Sequence, residues 1–515
     1  MKWYFKILIG LCSLLVFGII LNIVLNIWIK YPISKIISNK NDSAYFVTYK
    51  SINVSIWNSS IVANDIVIIP RKAVKDTLNK AGIYAEIKKI KVTKFKVWDV
   101  LFNDKIKAKS ISIEKSNVVL YKKEKNENVR ESVVGPFDKI ISVGEVALVN
   151  ANFKMYDVDS KIPMLNVQNI NVQLDGIVVT KSTLEDKIPF QFKNYSVSCD
   201  SMHFHPNEFY NIKTNKVKIT NSDIHIDEFQ MIPTYSRRQF VSKISKEKDL
   251  NTILCKTISV SKMDWGFKEE DFFFHCNAVD LNRVKANIYR SLEPKDDLSK
   301  KHLYNKLLRD LKFDLKVDTL KIRNSIVEYE EEKSFDLGPG KLRFNNFNLN
   351  ATSINSGFKK NKLPDVKINI SCNFMNNSPL NVNWKFNIMD QNDGFNIKGS
   401  LQKFDVEKIV AFTKPYMNIE TEGVIDLMHF DFTGNDKQVS GKFAVEYDDL
   451  EFKILKKDNR KKKNKLATFI AKVFVKKDTD EKLKNVDVEL ERIPEKSFYN
   501  FLWRSIAEGL QKVLI

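Results

Sequence analysis

The chain has 515 residues, with 83 Lys and Arg against 63 Asp and Glu for a net charge of +20, a length that fits three or four ordinary domains or one extended repeat body. Only 16 Gly and 13 Pro are spread through it, and no Gly/Ser/Pro-rich linker interrupts it, which argues against a string of tethered domains and for a continuous body. The positive charge is dispersed rather than gathered into a stripe, and Lys, Asn and Ile are all abundant; nucleic acid is therefore not the expected partner, and an anionic membrane surface is.

Residues 7–29, ILIGLCSLLVFGIILNIVLNIWI, carry no charge, and only Ser13, Asn22 and Asn26 are polar. Such a stretch is long enough to cross a bilayer core of about 30 Å. It exceeds the apolar core of about 7–15 residues usual in a cleaved signal, and no A-x-A site follows, so a retained anchor is expected. Lys2 and Lys6 precede it while Lys30, Lys35 and Lys40 follow, so flanking charge does not orient it. The very short leading tail predicts a cytoplasmic N-terminus and an exported body. Of the five cysteines, Cys12 lies in this segment, and Cys199, Cys255, Cys276 and Cys372 stand alone without a CxxC. Neither a zinc ribbon nor a dense disulfide scaffold is indicated.

Beyond the anchor, residues 44–70 alternate as strands, and RKAVKDTLNKAG (71–82) reads as a short helix closed by Gly82. Residues 83–123 read as a strand, a helical turn around Trp98 to Phe102, and paired strands. One ten-residue template then recurs: VSIWNSSIVA (54–63), ISIEKSNVVL (111–120), VALVNANFKM (146–155), VKITNSDIHI (217–226), ISVSKMDWGF (258–267) and LKIRNSIVEY (320–329). Each alternates with period two, slips by one at an Asn or Lys followed by a small residue, and alternates again; Met263 is the least typical occupant of the small position. The pattern predicts strand, bend, strand. The starts lie 57, 35, 71, 41 and 62 residues apart, so the copies define an internal repeat but not a strict solenoid.

The segment DDLSKKHLYNKLLRDLKFDL (296–315) breaks the strand pattern with a one-sided apolar stripe of Leu303, Leu307, Leu308 and Leu311. It fits a helix over an open edge of the β body or a crossover helix covering a sheet face. Alternation resumes through residues 341–400. DVEKIVAFTKPY (405–416) then reads as a helix stopped by Pro415. A long hairpin is expected from 423–435 and 439–455, turned by Gly434 and Asn435. The run KKDNRKKKNK (456–465) fits a solvated loop or a contact with acidic lipid headgroups. Residues 495–515 place Phe498, Phe501, Leu502, Ile506 and Leu510 at helical spacing, with Trp503 beside them. That is an amphipathic helix, suited to a membrane interface or to capping the β body.

Catalytic chemistry finds no support. His203 and His205 share one strand face, but no carboxylate or thiolate follows at a ligand interval, and a surface pair is expected. No P-loop, GxGxxG, HExxH or GxSxG occurs, and Asp426, Asp431, Asp448 and Asp449 read as decoration of an outer strand face. No enzyme activity, cofactor or metal is predicted.

The hairpin GVIDLMHFDFTGNDKQVSGKFAVEYDDLEFKILKK (423–457), with its Gly434-Asn435 turn, Ser440-Gly441 and Tyr447 to Leu450, resembles the AsmA-like proteins of bacterial envelopes. The anchor, residues 83–123 and the ending FYNFLWRSIAEGL with Phe501, Leu502 and Trp503 add to the likeness, which spans most of the chain and is diffuse in its middle. The resemblance implies a mainly β protein in which an N-terminal transmembrane helix precedes an elongated, curled antiparallel sheet forming an apolar groove, with a few short helices and a C-terminal amphipathic helix. The corresponding regions are 1–30 (anchor), 31–290 (groove repeats), 291–315 (helical segment), 316–490 (C-terminal groove region) and 491–515 (terminal helix). The implied protein sits in the bacterial inner membrane by a single pass, with its body in the periplasm, and carries phospholipid between inner and outer membranes. Ile111, Ile113, Val146, Leu148, Val217, Ile219, Ile258, Val260, Leu320, Ile322, Val327 and Tyr329 would line the groove. Alternation supports this geometry separately, since twenty-odd strands about 4.8 Å apart would extend roughly 100 Å. A scaffold or outer-membrane protein assembly factor that carries no lipid is the alternative. An array of anchored sandwiches would need closed domains of about 100 residues, which the pattern lacks.

Overall fold

The computed structural model describes residues 45–55, 57–71, 80–96, 105–122, 140–180, 182–183, 186–188, 190–455 and 478–514. The anchor segment 7–29, most of the helix expected over 71–82, the turn at Trp98 to Phe102 and the basic run 456–465 lie outside the described residues. Among those described, no helix is long and apolar enough to cross a membrane. Strands take up 64% of the described residues, which makes the protein mainly β. Packing divides it into two compact units, Met1–Phe229 and Gln230–Ile515, and the segment 291–315 falls within the second.

In the first unit, β1 (Tyr45–Thr48) and β2 (Ser51–Ser55) lie end to end along β3 (Ser60–Pro70). The sheet continues through β4 (Gly82–Thr93), β5 (Lys105–Lys122), β6 (Ile140–Asp157) and β7 (Leu165–Val179). Beyond β7 come β8 (Asn194–Cys199) and β9 (Ser201–Asn207); β10 (Tyr210–Thr214) pairs with β9, β11 (Val217–Thr220) with β8, and the first residues of β12 (Ile224–Pro233), a strand that runs past Phe229, with β11. In the second unit, β13 (Leu250–Ser261) and β14 (Asp264–Lys268) both pair with β15 (Asp271–Ser291). The order then runs β16 (Asp314–Glu332), β17 (Gly340–Asn355), β18 (Val366–Phe374), β19 (Ser378–Phe386), β20 (Phe395–Asp405), β21 (Ile419–Gly434), β22 (Gln438–Ile454) and β23 (Lys484–Glu491).

The expectation of a purely antiparallel sheet is corrected, because β5 pairs with β6 and β15 with β16 in parallel. Alternation records which face a side chain takes, not the direction of its neighbour. Each parallel step needs a connection of a dozen residues or more, and 17 residues separate β5 from β6 while 22 separate β15 from β16. The first step brings two template copies into register, Ile111 beside Val146 and Ile113 beside Leu148.

The bends have a backbone cause. Lys115, Asn150, Lys262 and Asn324 hold φ of +51°, +54°, +49° and +52°, and the small residues after the first, second and fourth are buried, Ser116 at 0%, Ala151 at 1% and Ser325 at 1% exposure. A left-handed residue inserts one unit into the ladder, so apolar residues before and after it keep the same face; Asn tolerates that conformation better than most. The Asn150 N–H donates to Asn171 Oδ1 at 3.0 Å, and Asn171 Nδ2 to Asn169 O at 3.1 Å. In the second unit the Asn324 N–H donates to Asn348 Oδ1 at 3.0 Å, and Asn348 Nδ2 to Asn346 O at 2.7 Å. The register slips identically in both places, at Ala151 opposite Ile170 and at Ser325 opposite Phe347. Thus the repeat is a three-strand module, β5–β7 in one unit and β15–β17 in the other. The copies at 54–63 and 217–226 are corrected: their Asn-Ser pairs turn hairpins, β2 to β3 and β11 to β12, because the following strand folds back instead of continuing. Asn324→Val should cost about 2 kcal/mol and Asn324→Gly under about 1, since only the first meets the left-handed penalty. Equal losses in chemical denaturation would remove backbone conformation as the reason.

Helices are few. The segment expected to be helical over 296–315 forms only α2 (Tyr304–Arg309), following α1 (Arg237–Lys243) in chain order. Leu303 gives it no side-chain cap, and its polar residues tie it to the β19–β20 turn: Asn305 Nδ2 donates to Asn387 O and Gly394 O at 3.0 and 2.9 Å, and Arg309 to Ile388 O at 2.8 Å. It is a crossover element packed on the sheet, with Leu303 in the core. Pro415 lies inside α3 (Val410–Met417) instead of ending it; the stop is Asn418, left-handed at φ +62°, whose N–H closes onto Lys414 O. The long hairpin forms as expected, with Asn435 Oδ1 accepting from the N–H groups of Lys437 and Gln438 at 2.8 and 3.1 Å. Finally, α4 (Phe498–Leu514) buries Phe498, Phe501, Ser505, Gly509 and Val513 against the core of the second unit. Gly509 is required there, because an added Cβ would stand 2.3 Å from Phe443 Cγ.

Candidate functional site

Residues directly opposite in a ladder share a face, so pairing traces the apolar face of the second unit strand by strand. One row runs Ile258, Leu281, Ile322, Leu349, Ile370 and Val382 from β13 to β19. A second runs Val260, Val279, Leu320, Ala351, Ile368 and Trp384. In the first row every residue from Leu281 to Val382 is half-buried. A stripe of aliphatic side chains therefore retains accessible surface across five adjacent strands.

Beyond that stripe the same face closes. Ile397, Phe430 and Phe432 are 2%, 5% and 0% exposed, and α4 lies over this region with Phe498 stacked on Trp384 at 4.6 Å and 7°. Of the terminal-helix residues read from the sequence, Phe498 and Phe501 are buried, Leu502, Ile506 and Leu510 half-buried, and Trp503 exposed. At the other end Tyr329 donates to Glu331 at 2.7 Å, and Arg290 Nε to Asp249 at 2.7 Å. Burial opposes the charge of Arg290, but the hydrogen bond and charge of Asp249 outweigh it and keep the guanidinium protonated. Burial, with Glu331 beside it, pushes the Tyr329 hydroxyl well above the phenolic range. This end is polar and neutralised within itself.

The twelve groove residues read from the sequence fall into two groups. Leu320, Ile322, Val327, Tyr329 and Val260 are half-buried on the face just traced, and Ile258 beside them is 8% exposed. Ile111, Ile113, Val146 and Leu148 are 3%, 0%, 0% and 1% exposed, and Val217 and Ile219 are 6% and 8%; these six lie in a closed core. Leu281 and Val279 were not among the twelve, although VDLNRVKANI (279–288) fits the template with Arg283 at the bend, φ +55°. LNVQNINVQL (165–174) is a similar case, with Ile170 in place of a small residue. Widening the template to Arg and to larger buried residues would have found both.

Two cavities of about 450 Å³ open on polar faces instead. One is lined by Asn381, Asn383, Lys398, His429, Asp431 and Lys442 among others, the other by Lys115, Asn117, Asn150, Asn152 and Asn169. Asn152 Nδ2 donates to Asn117 at 2.9 Å and Lys398 pairs with Asp431 at 2.7 Å, so these walls are hydrogen-bonded within themselves. No group of His, Cys, Asp and Glu among the described residues is arranged to hold a metal ion; His203 is exposed and His205 half-buried. Among the described residues Cys199, Cys255, Cys276 and Cys372 form no disulfide, and burial pushes Cys199 and Cys276 up to about 11 and Cys372 to about 12. A thiol so raised is a poor nucleophile at neutral pH. No family model matches the chain, and no curated protein matches it.

Proposed function

We propose that this protein is a membrane-anchored, periplasmic carrier of phospholipid of the AsmA-like kind, whose acyl chains lie on the half-buried stripe of the second unit. The observation that carries this reading is the in-register row Leu281, Ile322, Leu349, Ile370 and Val382, aliphatic on five neighbouring strands and incompletely covered. Each methylene laid on such a surface is removed from water at a gain of about 0.8 kcal/mol. No side chain has to grip the lipid, so a diffuse site without a catalytic or metal constellation is what transit along a face requires. The apolar segment 7–29 supplies the anchor in this reading.

A photo-crosslinking residue at Ile322, and separately at Leu349 and Ile370, is expected to yield phospholipid adducts in cells, whereas Ile113, closed at 0% exposure, should yield none. Absence of adducts at all three stripe positions would sink the proposal. The scaffold reading draws on the first unit, where the same template builds a closed core around Ile113, Val146 and Leu148. Adducts confined to headgroup-exposed surface, with none on the stripe, would favour it.

A further inference from the structure

We propose that the outer edge of the first unit, formed by β1, β2 and the turn from β2 to β3, docks on an anionic lipid surface. Among the described residues this edge carries three large apolar side chains with little cover: Phe46 at 38%, Val54 at 48% and Trp57 at 99% exposure. Trp57 stands at the tip of the turn, so its whole indole meets solvent. Apolar rings left in water beside cations are the composition of a membrane–water interface, where the ring enters the headgroup layer and the cations meet lipid phosphates.

The cations are present. The Phe95 N–H donates to Ser59 O at 2.9 Å, which ties the end of β4 to the Trp57 turn and brings exposed Lys94 and Lys96 to the same tip. Lys50 is exposed at the break between β1 and β2, and the Arg71 guanidinium lies 4.4 Å from the Phe46 ring. Four cations and three apolar side chains thus line one edge, with Phe46 and Arg71 at its β1 end and Val54, Trp57, Lys94 and Lys96 towards its turn; Val54 pairs with Ile61 of the buried face of β3 and Phe46 with half-buried Ile69 of the other face. Splitting that edge into strands of 4 and 5 residues also makes it a poor template for adding another strand, which disfavours a second copy as the occupant.

Chain length makes a membrane accessible. Fifteen residues separate the apolar segment 7–29 from Tyr45, and they reach at most about 50 Å when fully extended. The proposal rests on the reading that residues 7–29 anchor the chain, and that anchor would hold the edge within this distance of the bilayer throughout.

The test uses the full chain reconstituted into vesicles of phosphatidylglycerol and phosphatidylethanolamine, with benzoylphenylalanine at position 57 and, as control, at exposed Lys213. Lipid adducts at 57 are expected at about tenfold the level at 213 or more, falling several-fold when phosphatidylcholine replaces the anionic lipid. Retention of the chain after alkaline extraction without adducts at 57 overturns the docking while the anchor stands. Release by alkaline extraction overturns the anchor and the docking together. Cross-links at 57 to a second copy of the chain overturn the proposal in favour of a dimer through this edge.

Discussion

Phe498→Ala is expected to destabilise the second unit by about 3–5 kcal/mol, the range for removing a fully packed aromatic side chain. Phe498 is 6% exposed and lies in the core cluster of this unit. Its ring stacks on Trp384 and meets Phe395 edge-on at 5.2 Å and Tyr304 at 6.2 Å. Truncation would lose the transfer free energy of the ring and leave a cavity lined by three aromatic residues that cannot collapse together. Urea unfolding of the purified full chain, with amide exchange across α4 as a local probe, checks the result. A loss below about 1 kcal/mol with unchanged protection of α4 would mean that the helix is not held on the sheet through this ring. The same measurement separates the two roles read for the C-terminal helix, since an interfacial helix would owe its order to a membrane and lose none of it with Trp384 uncovered.

The second large effect concerns acid. Glu330 is 3% exposed on the opposite face of β16 from Tyr329, where Arg237 of α1 donates to it, Lys341 stands 2.9 Å away and Asn287 Nδ2 donates at 3.1 Å. Burial pushes its carboxyl up, but the hydrogen bonds from Lys341 and Asn287 and the charge of Arg237 outweigh that and hold it below the ordinary value of 4.5. A depressed folded value makes this group stabilising above pH 4.5, and the contribution is lost as pH falls through the folded value. Glu330→Gln is expected to cost about 2 kcal/mol at pH 7, the scale of charge-assisted hydrogen bonds lost from a buried site. The gap to the parent protein should close in strong acid, where the parent carboxyl is protonated too. Denaturation midpoints of both proteins at pH 7 and pH 3 decide it; a gap unchanged between the two would show that the Glu330 charge contributes nothing.

Much of the local structure was legible because it depends on neighbours in sequence. The alternation of Ile83, Ala85 and Ile87 announces a strand with one buried face, and all three are buried at 4% exposure or less. The Asn150-Ala151 and Asn324-Ser325 pairs announce bends because a left-handed residue followed by a small one is a local requirement of the ladder. Gly434-Asn435 announces the hairpin for the same kind of reason. Helix lengths were less legible: Leu303, Leu307, Leu308 and Leu311 have helical spacing, yet only Tyr304–Arg309 is helical, since Asn305 and Arg309 find carbonyl partners on the β19–β20 turn. Those partners lie about eighty residues away and leave no local signature.

Ile113 and Ile322 occupy the same place in the same template, and no pattern of neighbours tells them apart. By itself the amino-acid sequence determined that each is an inward-facing strand residue two positions ahead of a bend, because that depends on alternation and on the conformational tolerance of Lys115 and Asn324. Only the tertiary structure decided that Ile113 is closed at 0% exposure while Ile322 stays half-buried. It likewise set β5 parallel to β6 and β15 parallel to β16. Coverage of a face and direction of a neighbouring strand are properties of what is packed against a residue, and distant segments of the chain supply that.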